Sequence, residues 1–151
     1  MGVVACLLAL AGCSGGGAVS IDAPDLDGPA AERCGQLLDA LPKTVAEQPR
    51  RAVDPEDAYA AAWGDPPIVL RCGVGSPAGF GELSVCQVAN GVGWFIPEEQ
   101  ITNEPTDVVM TTVDRRPRVE VRLPEEYYPP AAAMVQLAPA LKQTTERTDP
   151  C

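Results

Sequence analysis

Apolar residues fall along the chain with distinct periods, and each period predicts an element. Residues 3–11 form an unbroken apolar run, the length of a signal-peptide core and well short of the roughly 18 residues that span a bilayer. Residues 18–29 are polar and acidic and predict a connector. Cys34, Leu37, Leu38 and Leu41 then recur at i, i+3, i+4 and i+7, one stripe of a helix with Pro29 in its first turn and Pro42 as its stop. Residues 43–54 read as an irregular loop. Residues 55–63 read as a short helical turn closed by Gly64 and by Pro66-Pro67.

Beyond residue 67 the period shortens. Residues 68–72 are a mostly apolar run between breakers, which predicts a buried strand, followed by a loop over 73–81. Residues 85–88 and 92–96 flank Asn90-Gly91, a strong signal for a tight hairpin. A second hairpin pairs 107–113 with 118–123 around Asp114-Arg115-Arg116-Pro117. In its outgoing strand Arg118, Glu120 and Arg122 alternate with Val119, Val121 and Leu123, one wet face and one buried. Pro129-Pro130 opens a last helix with Met134, Leu137, Ala138 and Leu141 on one side, and Pro139 should kink or shorten it. The expected fold is α+β: an antiparallel sheet of four to five strands, with N- and C-terminal helices packed on one face. The expected division is a signal peptide over 1–12, a lipid-anchored flexible connector over 13–29 and a single domain over 30–151.

Composition adds the compartment. Leu10-Ala11-Gly12-Cys13 has the form of a bacterial lipobox. Small residues there let a peptidase reach the bond before Cys13, whose sulfur carries the diacylglyceryl group. Two acyl chains anchor far more firmly than one. Ser14-Gly15-Gly16-Gly17 reads as a flexible tether. No Lys or Arg precedes Cys13, which predicts a start upstream of Met1. Val3-Val4-Ala5-Cys6 is a weaker match. Lipidation at Cys13 leaves an even set, Cys34, Cys72, Cys86 and Cys151, whereas lipidation at Cys6 leaves an odd one.

In an exported domain those four cysteines read as two bridges. The expected pairs are Cys72 with Cys86, on neighbouring strands around a Gly/Pro-rich loop, and Cys34 with Cys151, stapling the first helix to the last residue. A four-thiolate zinc site needs paired short spacings and a catalytic dithiol needs C-x-x-C; neither occurs. No metal or other cofactor is expected.

The remaining motifs fit chemistry poorly. The chain has 21 acidic and 11 basic residues, net −10, a field that repels nucleic acid and anionic lipid heads. It has no histidine, which excludes Ser-His-Asp and Cys-His arrangements. Gly73-Val74-Gly75-Ser76-Pro77-Ala78-Gly79 misses the spacing of a phosphate-binding loop. Aligning Asp22, Asp25, Asp27 and Gly28 to a calcium loop puts Ala23 and Cys34 at ligand positions. Glu98-Glu99 and Glu125-Glu126 read as surface charge. Trp63 and Trp94 are either core anchors or, with Arg71 as the polar group, the lining of one recess. Arg115, Arg116, Arg118 and Arg122 are either a solvated strand face balanced by Glu120 and Asp114, or a docking patch for an acidic partner.

Cys34-Gly35-Gln36-Leu37-Leu38 with Leu41-Pro42, the block from Ala62-Trp63-Gly64-Asp65-Pro66-Pro67 through Arg71-Cys72-Gly73-Val74, Val92-Gly93-Trp94 and the hairpin over 111–124 together resemble domain-of-unknown-function family 3515, an actinobacterial family of small exported or lipid-anchored proteins. The resemblance covers residue 30 onward. It implies an exported single domain, with no catalytic residues to carry over. The expected function is that of a non-catalytic lipoprotein, exported and lipid-anchored on the outer face of the cell membrane, that binds another envelope component, a protein partner. The alternative is a lipoprotein that binds a small ligand or an envelope polymer through Trp63, Trp94 and Arg71. A carboxylate-dependent hydrolase stands third.

Overall fold

The computed structural model describes residues 16–149. The apolar run over 3–11, Cys6, Cys13 and Cys151 lie outside the described residues. In chain order the elements are β1 (Val19–Ser20), α1 (Gly28–Ala40), β2 (Thr44–Val45), β3 (Gln48–Arg51), β4 (Val53–Asp54), β5 (Ala60–Trp63), β6 (Ile68–Val74), β7 (Gln87–Ala89), β8 (Val92–Phe95), β9 (Val108–Thr112), β10 (Arg115–Arg116), β11 (Arg118–Leu123), α2 (Ala131–Thr144) and β12 (Glu146–Arg147). The main sheet has eight strands in the order β2-β3-β5-β6-β11-β9-β8-β7. All of its neighbours run antiparallel. A short parallel pair, β1 with β4, and an antiparallel pair, β10 with β12, stand outside it.

The α+β class is as the periodicity predicts, but the sheet is larger than the expected four to five strands. The additional strands come from the segment expected to be loop and helical turn. β5 reads Ala60-Ala61-Ala62-Trp63, a sequence whose intrinsic preference is helical, yet it pairs with β3 on one side and β6 on the other. Burial decides against the local preference here. Every residue of β5 is buried, which no half-wet strand allows. Ala61 and Trp63 face the main core, while Ala60 and Ala62 join Ile21 and Ala58 in a second cluster on the far face, with Val19 and Val53 packed against it. The small alanine side chains let the N-terminal segment lie close to the sheet.

The connector expected to stay flexible to Pro29 is therefore ordered well before it. Ile21 is buried, and the amides of Val19 and Ile21 donate to Ala52 O and Asp54 O, both at 2.9 Å. An apolar side chain with a surface to cover overrides a polar average.

The two helices pack on each other and on one face of the sheet. Cys34, Leu37 and Leu41 are buried and Leu38 packs against the same core, the stripe that the spacing predicts. On α2, Met134, Leu137, Ala138 and Leu141 are buried. Pro139 does not shorten α2, which runs on to Thr144. The ring sits on the solvent side and the residue one turn back, Val135, is exposed, so water can satisfy the carbonyl that Pro139 leaves without a donor. Both hairpins form, although the leading strand of the first is Gln87–Ala89 and not the expected 85–88. Asn90 and Gly91 have φ of 48° and 79°, the left-handed pair that a tight two-residue turn requires. Among the described residues no helix is long and apolar enough to cross a membrane.

Candidate functional site

The cysteines are placed by sheet order. Ile68, Leu70 and Cys72 point alternately from β6 into the helix-side core, where the α1 stripe brings Cys34. The bridge is Cys34–Cys72, with a Cα–Cα separation of 5.8 Å, and both residues are fully buried. This corrects the expected pairs. Cys86 immediately precedes β7, and β7 stands four strand spacings from β6, about 19 Å. A disulfide spans less than about 7 Å between Cα atoms, so adjacency along the chain misleads. The Cys34–Cys151 pair falls with it, since the Cys34 sulfur is already used. Cys86 is itself disulfide-bonded.

Trp63 and Trp94 are both fully buried on the helix-side face. β5 and β8 are again four spacings apart, about 19 Å, so the two rings do not line one recess. The Trp63 Nε1 donates to Pro42 O at 3.1 Å, and the Arg50 guanidinium lies over the ring at 5.2 Å. The Trp94 Nε1 has no hydrogen-bond partner among the described residues. Arg71 alternates to the opposite face of β6. There its Nη2 donates to Glu120 Oε1 at 2.8 Å and its Nη1 to Asp22 O at 2.8 Å, fastening the N-terminal segment to the sheet. The three residues are thus two core anchors and a clasp.

The arginine-bearing hairpin is not one continuous patch. Arg115 is 5% exposed, donates from Nη2 to Gly91 O at 2.8 Å and lies 3.6 Å from the buried Asp114 carboxylate. Arg122 donates to Glu120 Oε1 at 2.9 Å. Arg116 donates to Arg115 O at 2.8 Å. Arg118 is partly buried, and burial together with the neighbouring charge of Arg116 lowers its pKa. Glu98-Glu99 and Glu125-Glu126 sit in separate single turns of 3-10 helix, exposed to solvent. Among the described residues no group of three or more His, Cys, Asp or Glu could hold a metal ion.

The surface that sequence reasoning missed lies at the β7 end of the sheet. Leu83 is 98% exposed, Val85 78%, Val88 67% and Ile101 49%. Leu83, Val85 and Ile101 line an open recess whose floor includes Phe95 and Ile96 and whose rim carries Glu82, Glu98 and Glu99. Phe80 stacks edge-on against Phe95, centroids 5.4 Å apart, holding the loop over the far face of the sheet. Val88 sits opposite Gly93, which offers no side chain to cover it. The apolar residues at 83 and 85 lie inside a turn-rich stretch, and the expected strand over 85–88 takes in Val85 but not Leu83. β7 begins only at Gln87. Exposed apolar side chains gathered in one place are the kind of surface at which proteins associate.

No curated protein and no solved structure matches the chain. The family described as "Protein of unknown function (DUF3515)" matches residues 2–150, and the chain belongs to that family.

Proposed function

We propose that the protein is a non-catalytic lipoprotein, exported and held on the outer face of the cell membrane through Cys13, that binds another envelope component, a protein partner. The observation that carries the reading is the sulfur–sulfur bond at the centre of the core, Cys34–Cys72. Bridges of this kind form and persist outside the reducing cytosol. Cys86 is bridged as well, and an even set of cysteines is what would remain if Cys13 takes the lipid. Leu10-Ala11-Gly12-Cys13 supplies the anchor and Ser14-Gly15-Gly16-Gly17 the tether. The exposed apolar surface at the β7 end supports binding as the role, and the burial of Trp63 and Trp94 removes the main support for a ligand recess between them.

The test is fractionation of cells that express the wild type or Cys13→Ser. The wild type should partition with membranes and the variant should not. Equal membrane retention of both would overturn the anchor.

A further inference from the structure

We propose that β7 and the apolar recess beside it take an extended segment of a protein partner in which apolar and basic side chains alternate. The proposal rests on the binding reading above and gives it a site and a partner chemistry.

Three observations carry it. First, among the described residues β7 is the last strand of the sheet and pairs with β8 alone. Around a two-residue turn the flanking pair, Ala89 and Val92, is the hydrogen-bonded one. The antiparallel alternation therefore turns the amide and carbonyl of Val88 outward. No charged residue or proline lies within Gln87–Ala89 to discourage an added strand. The strand is short, so main-chain bonds alone are too few to hold a partner. Second, apolar surface lies beside it: the exposed Leu83 and Val85 precede β7 by a few residues, and Val88 faces the same side of the sheet as Phe95. An extended segment presents alternate side chains to such a surface. Third, Glu82, Glu98 and Glu99 rim the recess, are exposed, and form no ion pair among the described residues.

Charge selects the occupant. A second copy would bring the same three glutamates against this rim, and anionic lipid heads would be repelled by it. A segment with Lys or Arg between its apolar residues satisfies both the rim and the recess. Gly17, near the start of the described residues, lies far from the site. Gly17 O accepts from Arg51 Nη2 at 2.7 Å on β3, six strand spacings, about 29 Å, from β7.

The test uses the full chain and a hexapeptide of alternating lysine and valine, followed by NMR. Saturable shifts should appear at Leu83, Val85 and Gln87–Ala89. A lysine–serine hexapeptide of the same charge, and a glutamate–valine one, should bind at least tenfold more weakly. Val88→Lys adds a charge to the outer strand at an exposed position and should weaken binding about tenfold with unchanged circular dichroism; Glu98→Lys should do likewise. Equal binding of the lysine–serine peptide, shifts confined to other residues, or unchanged affinity in both variants would overturn the proposal. So would self-association at micromolar concentration that Val88→Lys abolishes, or binding to phosphatidylglycerol vesicles through the same residues. Cys13→Ser should keep peptide binding while losing the membrane. Peptide binding lost with the anchor intact defeats this inference alone, and anchoring lost with peptide binding intact defeats the envelope reading alone.

Discussion

Arg71 and Glu120 face each other across β6 and β11, Nη2 to Oε1 at 2.8 Å, on the sheet face opposite the helices. The same carboxylate oxygen accepts from Arg122, and Arg71 also reaches back to Asp22 O. Glu120 thus joins two arginines, one of which holds the N-terminal segment. Glu120→Ala should cost about 1–2 kcal/mol in urea unfolding, because it leaves the partly buried Arg71 guanidinium short of its acceptor. Arg122 is mostly exposed, and Arg122→Ala should cost at most about 0.5 kcal/mol. Equal costs would contradict this ranking.

The central bridge closes a span of 38 residues. The chain-entropy model gives such a loop about 4 kcal/mol, so Cys34→Ala with Cys72→Ala should lose about that much, a large share of the roughly 5–15 kcal/mol typical of a folded domain. Peptide mapping without reduction should recover Cys34 linked to Cys72, and Cys86 linked to Cys151, the remaining member of the even set. A Cys72–Cys86 peptide would contradict the sheet order itself.

The two tryptophans should respond differently to the same change. Trp63→Phe forfeits the bond to Pro42 O and the Arg50 stack. Trp94→Phe removes an indole N–H that has no partner among the described residues. Both leave a small void, but Trp63→Phe should be the more destabilising by about 1 kcal/mol in urea unfolding. A larger loss at Trp94 would point to a partner for its nitrogen.

Gly73 and Gly75 separate structure from a phosphate-loop motif. Gly73 has φ of 83°, and a Cβ there would meet Leu26 Cδ1 at 2.5 Å. Gly73→Ala should cost about 1–2 kcal/mol. A Cβ on Gly75 meets nothing within 4 Å, so Gly75→Ala should change stability little. Thermal or urea unfolding of both variants is the check, and equal effects would contradict this account of the loop.

What was legible in the sequence was local. The α1 stripe, the Ile68-Val69-Leu70 run, the Asn90-Gly91 turn and the alternation over 118–123 all express a period that the backbone repeats within a few residues. What was hidden depends on strand order. Ala60-Ala61-Ala62 has no strand-favouring side chain, and only its burial between two clusters makes it a strand. Neighbours along the chain, Cys72 and Cys86, are distant in the sheet, while Cys34 meets Cys72 because a helix crosses the strand. The apolar surface at Leu83 and Val85 was hidden for the same reason. Nothing local says that β7 ends the sheet.

The central claim, a lipid on Cys13 and a domain beyond the reducing cytosol, is tested most directly by the intact mass of the protein purified from membranes of its native cells. The account predicts a chain beginning at Cys13, heavier than its sequence by at least a diacylglyceryl group, with Cys34, Cys72, Cys86 and Cys151 all oxidised. An unmodified Cys13 on a cytosolic chain with four free thiols would contradict it.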